Sequence, residues 1–254
     1  MSAALAIAGA TVRRGGQVVL QDADLSVQPG EVVGVVGANG AGKTTLLRAG
    51  LGLVHLEAGR VELAGRDVGH LSEAERADLV AYLPQERRVG WNLPAWRVAS
   101  LGAPNAAPKD ARARARQALV RVGLSALEDR GVLDMSGGER ARALLARVLV
   151  AHAPLLVADE PAAGLDPDAQ LLAMELFREE AERGAGVVVT LHDLSLAARA
   201  CDRLVVLAHG RVVAQGSPSQ SLHVDVLATA FGLDGGLAET PFGPVVAARR
   251  RRLH

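Results

Sequence analysis

The chain has 254 residues, with 28 basic and 28 acidic side chains and a formal net charge of zero. Its apolar fraction of 49% and charged fraction of 22% exclude a disordered polymer, and the balanced charge argues against a broad basic nucleic-acid surface, so no nucleic-acid partner is expected. A single cysteine, Cys201, excludes an internal disulfide and suits a reducing compartment; no uninterrupted run of 18 apolar residues occurs, and Met1 to Val12 lacks the basic start of a signal peptide.

In chain order, the first thirty residues read as short strands, with valine and leucine in Gln17–Leu20 and Asp24–Val27 and a turn signal at Pro29-Gly30. Val32 to Val36 is an apolar run bounded by glycines, as expected of a strand buried on both faces. A helix should begin near Gly42 and carry Leu46, Leu47 and Leu51, with a further strand over Gly59–Leu63. Residues 85–150 read as a mostly helical insertion, including Asp110–Val122 at helical spacing. Leu155–Ala158 is then a strand, Gln170–Arg183 a helix and Val187–Thr190 a strand, and Leu204–Ala208 with Arg211–Ala214 forms a hairpin around His209-Gly210. This alternation predicts an α/β fold with a mainly parallel sheet. The expected organisation is one domain over residues 1–254. Its α/β core takes 1–84 and 151–235, 85–150 is helical, and 236–254 is a tail.

Gly37-Ala38-Asn39-Gly40-Ala41-Gly42-Lys43-Thr44 fits GxxxxGK[ST], after a predicted strand and before a predicted helix, which is the context the motif requires. Glycines let successive N–H groups turn inward around phosphate oxygens, and the helix start adds partial positive charge. Lys43 is expected on the β- and γ-phosphates and Thr44 on Mg²⁺, with Thr45 completing the nucleotide contacts. Lysine occurs at only two positions, 43 and 109, in a chain that otherwise uses arginine. A compact ammonium suits a tight phosphate cradle better than a wide guanidinium fork. Leu155–Ala158 ends in Asp159-Glu160, at the strand end where open α/β sheets bind ligands. Asp159 is therefore a candidate to hold Mg²⁺, and Glu160 to orient or deprotonate an attacking water.

Met135-Ser136-Gly137-Gly138-Glu139 lies just upstream. Ser136 and Glu139 make an S-x-x-E capping box, but a capping box does not call for two glycines. Bare N–H groups at a helix start suit an anion from outside. The segment resembles the signature motif of ATP-binding cassette (ABC) proteins. Gln85 then matches the Q-loop glutamine, Gly164-Leu165-Asp166 the D-loop, and His192 the switch histidine, whereas the other six histidines lack such context.

The resemblance implies a P-loop NTPase core with an N-terminal antiparallel β subdomain and a helical signature subdomain. It implies ATP and Mg²⁺ as cofactors, with Gln85 joining Thr44 and Asp159 around the metal. It implies a head-to-tail homodimer in which Ser136, Gly137, Gly138 and Glu139 of one chain face the nucleotide of the other, and Asp166 crosses the interface. His192 would contact the γ-phosphate. The family's adenine-stacking aromatic is replaced by Arg14, which either stacks on the base or is a solvated loop arginine.

The stretch from Gln85 to Pro108, ending in Val98-Ala99-Ser100-Leu101-Gly102, resembles importer cassettes for ferric siderophores, haem and cobalamin, except that Ala103 stands where arginine is expected. That resemblance implies transmembrane permease subunits, a separate substrate-binding protein and a place at the cytoplasmic face of the inner membrane. Trp91 and Trp96 either line the permease groove or pack inside the helical insertion. Arg249 to Arg252 is a basic tail, either solvated or at a membrane surface. A soluble cassette acting on a non-transport partner, a transporter of another substrate class, and a nucleotide-binding scaffold are the alternatives.

Overall fold

A computed structural model describes residues 2–86 and 89–251. The chain begins with strands β1 (Leu5–Arg14) and β2 (Gln17–Val27), followed by β3 (Val32–Gly37) and helix α1 (Lys43–Gly50). Strands β4 (Ala58–Leu63) and β5 (Arg66–Asp67) precede α2 (Glu73–Leu79) and β6 (Val80–Leu83). Helices α3 (Ala95–Ser100), α4 (Pro108–Arg121) and α5 (Gly137–Val150) lead to β7 (Leu155–Ala158), α6 (Pro167–Glu182) and β8 (Gly186–Thr190). The remainder comprises α7 (Leu194–Ala200), β9 (Arg203–Ala208), β10 (Arg211–Gly216), α8 (Pro218–Ser221), α9 (Val224–Phe231), β11 (Leu233–Ala238) and β12 (Val245–Arg250).

A six-stranded sheet runs β10-β9-β3-β8-β7-β6, parallel except where β10 folds back on β9. Consecutive residues of its strands enter different cores. Val33, Val35, Leu155, Val157, Val188, Val205 and Leu207 pack toward α1 and the antiparallel sheet β2-β1-β4-β5. Val32, Val36, Leu156, Val187, Val189, Leu204 and Val206 pack toward the helices on the other face. Burial on both faces explains why these strands read as continuous apolar runs, since no solvent face calls for polar residues. Among the described residues no helix is long and apolar enough to cross a membrane.

Several expectations need correction. The two short strands expected before Pro29 are one 11-residue strand, β2, paired along its length with β1 through register shifts. Strand β6 lies at the sheet edge and ends two residues before Gln85. Residues within the expected 236–254 tail form most of a hairpin, β11–β12. That hairpin rests on α7, where the Val246 N–H donates to Ser195 Oγ at 3.0 Å. Of the basic run, Arg249 to Arg251 are described, with Arg249 and Arg250 in β12, and Arg252 lies outside the described residues.

Candidate nucleotide site

The loop from Gly37 to Gly42 joins the end of β3 to the start of α1. Its glycines answer to local geometry. A Cβ at Gly37 would sit 2.4 Å from the Leu207 carbonyl oxygen, so no side chain fits there. Gly40 and Gly42 have φ of +78° and +107°, where L-residues are strained. Gly42 also approaches the Val19 carbonyl oxygen, which would lie 3.0 Å from an added Cβ. The first-turn N–H groups of α1 have no helical partners and point out of the helix start toward the loop.

Lys43 is buried, and its Nζ donates to the Gly37 and Ala38 carbonyls at 2.8 and 3.2 Å. Burial pushes the ammonium below its ordinary range, while the Glu160 and Asp159 carboxylates pull it back up. The lysine thus holds its own loop in shape and lies near both acids of the neighbouring strand end.

Those acids stand just past β7. Asp159 is fully buried; its N–H donates to the Leu83 carbonyl of β6 at 2.8 Å, which fixes the strand end. Its Oδ1 accepts the Thr190 hydroxyl at 2.7 Å, whereas Oδ2 has no hydrogen-bond partner among the described residues. A buried carboxylate oxygen with a vacant lone pair is costly unless it serves a cation, so the donor set fits Mg²⁺. Thr190 also accepts the Glu160 N–H at 2.7 Å, tying both acids to the end of β8. Glu160 has φ of +53°, a strained value for a non-glycine residue. Its Oε1 lies 2.6 Å from His192 Nε2, and with the carboxyl ionised this contact requires the proton on Nε2.

A cleft of about 750 Å³ collects these groups: Asn39 to Thr45, Gln85, Glu160 and His192 line it together. His209, which the sequence assigned only to a hairpin turn, lines it as well, beside Gly210. Arg14 does not reach this cleft. It lies in an adjoining hollow that shares Val19 and Thr45 with it.

The signature segment stands apart from the cleft. Ser136 caps α5: its Oγ accepts the Glu139 N–H at 3.2 Å, and Glu139 Oε2 accepts the Ser136 N–H at 2.8 Å. That capping draws the Glu139 carboxyl below its ordinary range. An added Cβ at Gly137 or Gly138 would meet nothing within 4 Å, and neither glycine has a positive φ. Asp166 caps α6 by accepting the Ala169 N–H at 2.9 Å. Trp91 is 76% exposed, which removes the core-packing reading for that residue. Trp96 instead packs against the helical core, with the Arg112 guanidinium 4.4 Å from its ring centre. Gly102 is required by packing, because a Cβ would lie 1.8 Å from the Arg147 carbonyl oxygen.

Sequence reasoning overlooked Thr190. Its signal was a hydroxyl ending the otherwise apolar run Val187–Val189, at the carboxyl edge of the sheet where a ligand binds.

A family model described as ABC transporter matches residues 20–163. A hemin import ATP-binding protein of Rhodococcus jostii is 41% identical over 237 residues, covering 92% of this chain and 81% of that protein. A cobalamin import ATP-binding protein of Halobacterium salinarum is 41% identical over 235 residues, covering 89% of this chain but only 58% of that longer relative. Among solved structures, a dimeric ATP-binding cassette in a post-hydrolysis state with ADP and phosphate superposes with a TM-score of 0.75 at 25% identity. That superposition covers 84% of this chain and 98% of the other.

Proposed function

The chain belongs to the ABC transporter family as an ATP-hydrolysing subunit, and from that premise we propose that it powers import of a haem, cobalamin or iron-siderophore type of cargo through separate membrane permeases. The names of its relatives support that cargo class. The observation that carries the chemistry is one cleft lined by the phosphate loop, Gln85, Glu160 and His192.

In this reading, backbone N–H groups from Asn39 to Thr44 grip the phosphates, with Lys43 on the β- and γ-oxygens and Thr45 beside them. Thr44, Gln85 and Asp159 hold Mg²⁺, the free Asp159 oxygen being the strongest support for that assignment. When bound, the metal neutralises charge on the β- and γ-phosphate oxygens. Glu160 accepts the proton of the attacking water. Its contact with His192 keeps the carboxylate oriented until the γ-phosphate is in place.

The second half of the site comes from a second copy of the chain. Ser136, Gly137 and Gly138 carry an open helix start with no neighbour around the glycines. Docking it over the γ-phosphate of the partner explains both glycines. Asp166, already capping α6, lies at the same interface. Arg14 stacks on the base in place of an aromatic residue.

The subunit therefore works at the cytoplasmic face of the inner membrane, as a homodimer bound to permease subunits, with a separate binding protein delivering cargo. Exposed Trp91 lines the permease groove. The test is to solubilise native membranes, purify the tagged chain and identify its companions while assaying phosphate release from ATP. A multi-span permease at equal stoichiometry, with ATP-dependent phosphate release, is the expected result. Only soluble or nucleic-acid companions would overturn the transport reading.

A further inference from the structure

His192 reaches the cleft from the short connection between β8 and α7. Leu191, just before it, is buried, and its N–H donates to the Val35 carbonyl at 3.2 Å, which ties this segment to β3. Asp193, just after it, caps α7 by accepting the Ser195 and Leu196 N–H groups at 2.8 and 2.9 Å. His192 is therefore hung between a fixed strand end and the first turn of α7. Where its imidazole stands depends on where that turn stands, and a small misplacement of a reacting group is expensive in rate.

One side of α7 is secured by the core, through the buried side chains of Leu194, Leu196, Ala197 and Ala198. Another side is covered by the β11–β12 hairpin, which touches the helix at both of its ends. At the first turn, Ser195 Oγ accepts the Val246 N–H of β12 at 3.0 Å. At the last turn, the bend of the hairpin comes against Arg199: a Cβ added at Gly243 would lie 3.1 Å from Arg199 Cγ. Gly243 has φ of +95°, and Thr240 Oγ1 closes the bend by donating to the Gly243 carbonyl at 2.6 Å. The hairpin is itself anchored, since Leu233, Leu237 and Val246 pack against the same core as α7.

The bond between Ser195 and Val246 has no other local purpose. The cap of α7 comes from Asp193, so the helix does not need the Ser195 hydroxyl. That hydroxyl makes no other hydrogen bond among the described residues. A two-stranded sheet leaves the outer groups of each strand unpaired, and Ser195 takes up one of those of β12. The hairpin lines no part of the cleft, so any effect it has on turnover must pass through α7.

We propose that the C-terminal hairpin is a strut for α7, and that Ser195 is a positioning residue which, through its bond to Val246, sets His192 for hydrolysis. The inference rests on the reading of His192 as a contact of the γ-phosphate. It gives residues 233–250 a part in turnover although they touch none of the reacting groups.

The test measures phosphate release from ATP by the full chain with Mg²⁺, for Ser195→Ala and Ser195→Thr, each in the wild-type and the His192→Ala background. In the wild-type background, Ser195→Ala should lower kcat about three- to tenfold, the scale of one lost hydrogen bond, with KM for ATP held within about twofold because the phosphate loop is untouched. Ser195→Thr keeps the hydroxyl and should restore turnover. In the His192→Ala background, Ser195→Ala should cause no further loss, because the group it positions is already gone. An unchanged kcat in Ser195→Ala, an equal loss in both backgrounds, or a Ser195→Thr variant as slow as Ser195→Ala overturns the proposal. Full turnover in His192→Ala itself overturns the reading of His192 and takes the proposal with it.

Discussion

Two loops of this chain are rich in glycine, and they are glycine-rich for opposite reasons. In the phosphate loop the protein itself demands them: a Cβ at Gly37 collides with a carbonyl oxygen, and Gly40 and Gly42 sit at positive φ. In the signature loop nothing among the described residues demands them. Gly137 and Gly138 take ordinary backbone angles and look onto open space. The first loop is finished within one chain, whereas the second is the one that the proposed pairing completes with a second copy. Glycines at a helix start with no such internal reason are what the proposed pairing accounts for, and that distinction can be tested.

The largest effect is expected where the chain's own site does its chemistry. Glu160→Gln keeps the shape of the side chain but removes the proton acceptor. On the proposed role of Glu160 as the water's proton acceptor, it should lower kcat by about 10²–10⁴-fold, with nucleotide binding retained by titration. Next comes the second loop. Gly138→Arg adds a side chain where a single chain has room, so thermal stability should hold while turnover falls by about 10²-fold, the scale of losing a fixed group that stabilises transition-state charge. A large drop in Tm for that variant would break the comparison.

Gly42→Ala probes the opposite case. At φ of +107°, with the Val19 carbonyl oxygen 3.0 Å from the new Cβ, it should destabilise the fold by about 1–3 kcal/mol in chemical denaturation. Gly137→Ala, the matched control, should change stability by no more than about 0.5 kcal/mol. The smallest effect in the isolated chain belongs to Trp91→Ala. Its side chain is largely exposed. Stability and basal ATP turnover should stay unchanged, with transport lost once the permease is present.

The parts of the fold legible in the sequence were those whose pattern matched one physical cause. Val32–Val36 and Leu155–Ala158 are buried on both faces and read as apolar runs, and Lys43 and Glu160 beyond their ends line one cleft. Strand β1 lay inside the first thirty residues read as short strands, but its bounds hid because its pairing is broken by register shifts around Gly9, which spoil the alternation that marks a strand. Strand β6 has four residues, too few for any period. The β11–β12 hairpin hid behind Gly235-Gly236 on one side and the arginines of β12 on the other, which read as a loop and a solvated tail.

At the site, sequence pattern delivered the motif residues but not the connection between them. Thr190 joins Asp159 to Glu160 from another strand, and only the parallel pairing of β7 with β8 brings it there. Arg14 was paired with the nucleotide by its position in the chain, and the fold puts it in the hollow beyond Thr45 rather than among the phosphate groups.

The backbone at Glu160 carries a consequence for anyone engineering this protein. A non-glycine residue at φ of +53° costs about 1–3 kcal/mol, and glycine would relieve that cost. A campaign that ranks substitutions by heat tolerance alone would therefore favour glycine at position 160. On the proposed role of Glu160, the resulting variant would outlast the parent on the bench and do no work, because the substitution that relieves the backbone also deletes the carboxylate.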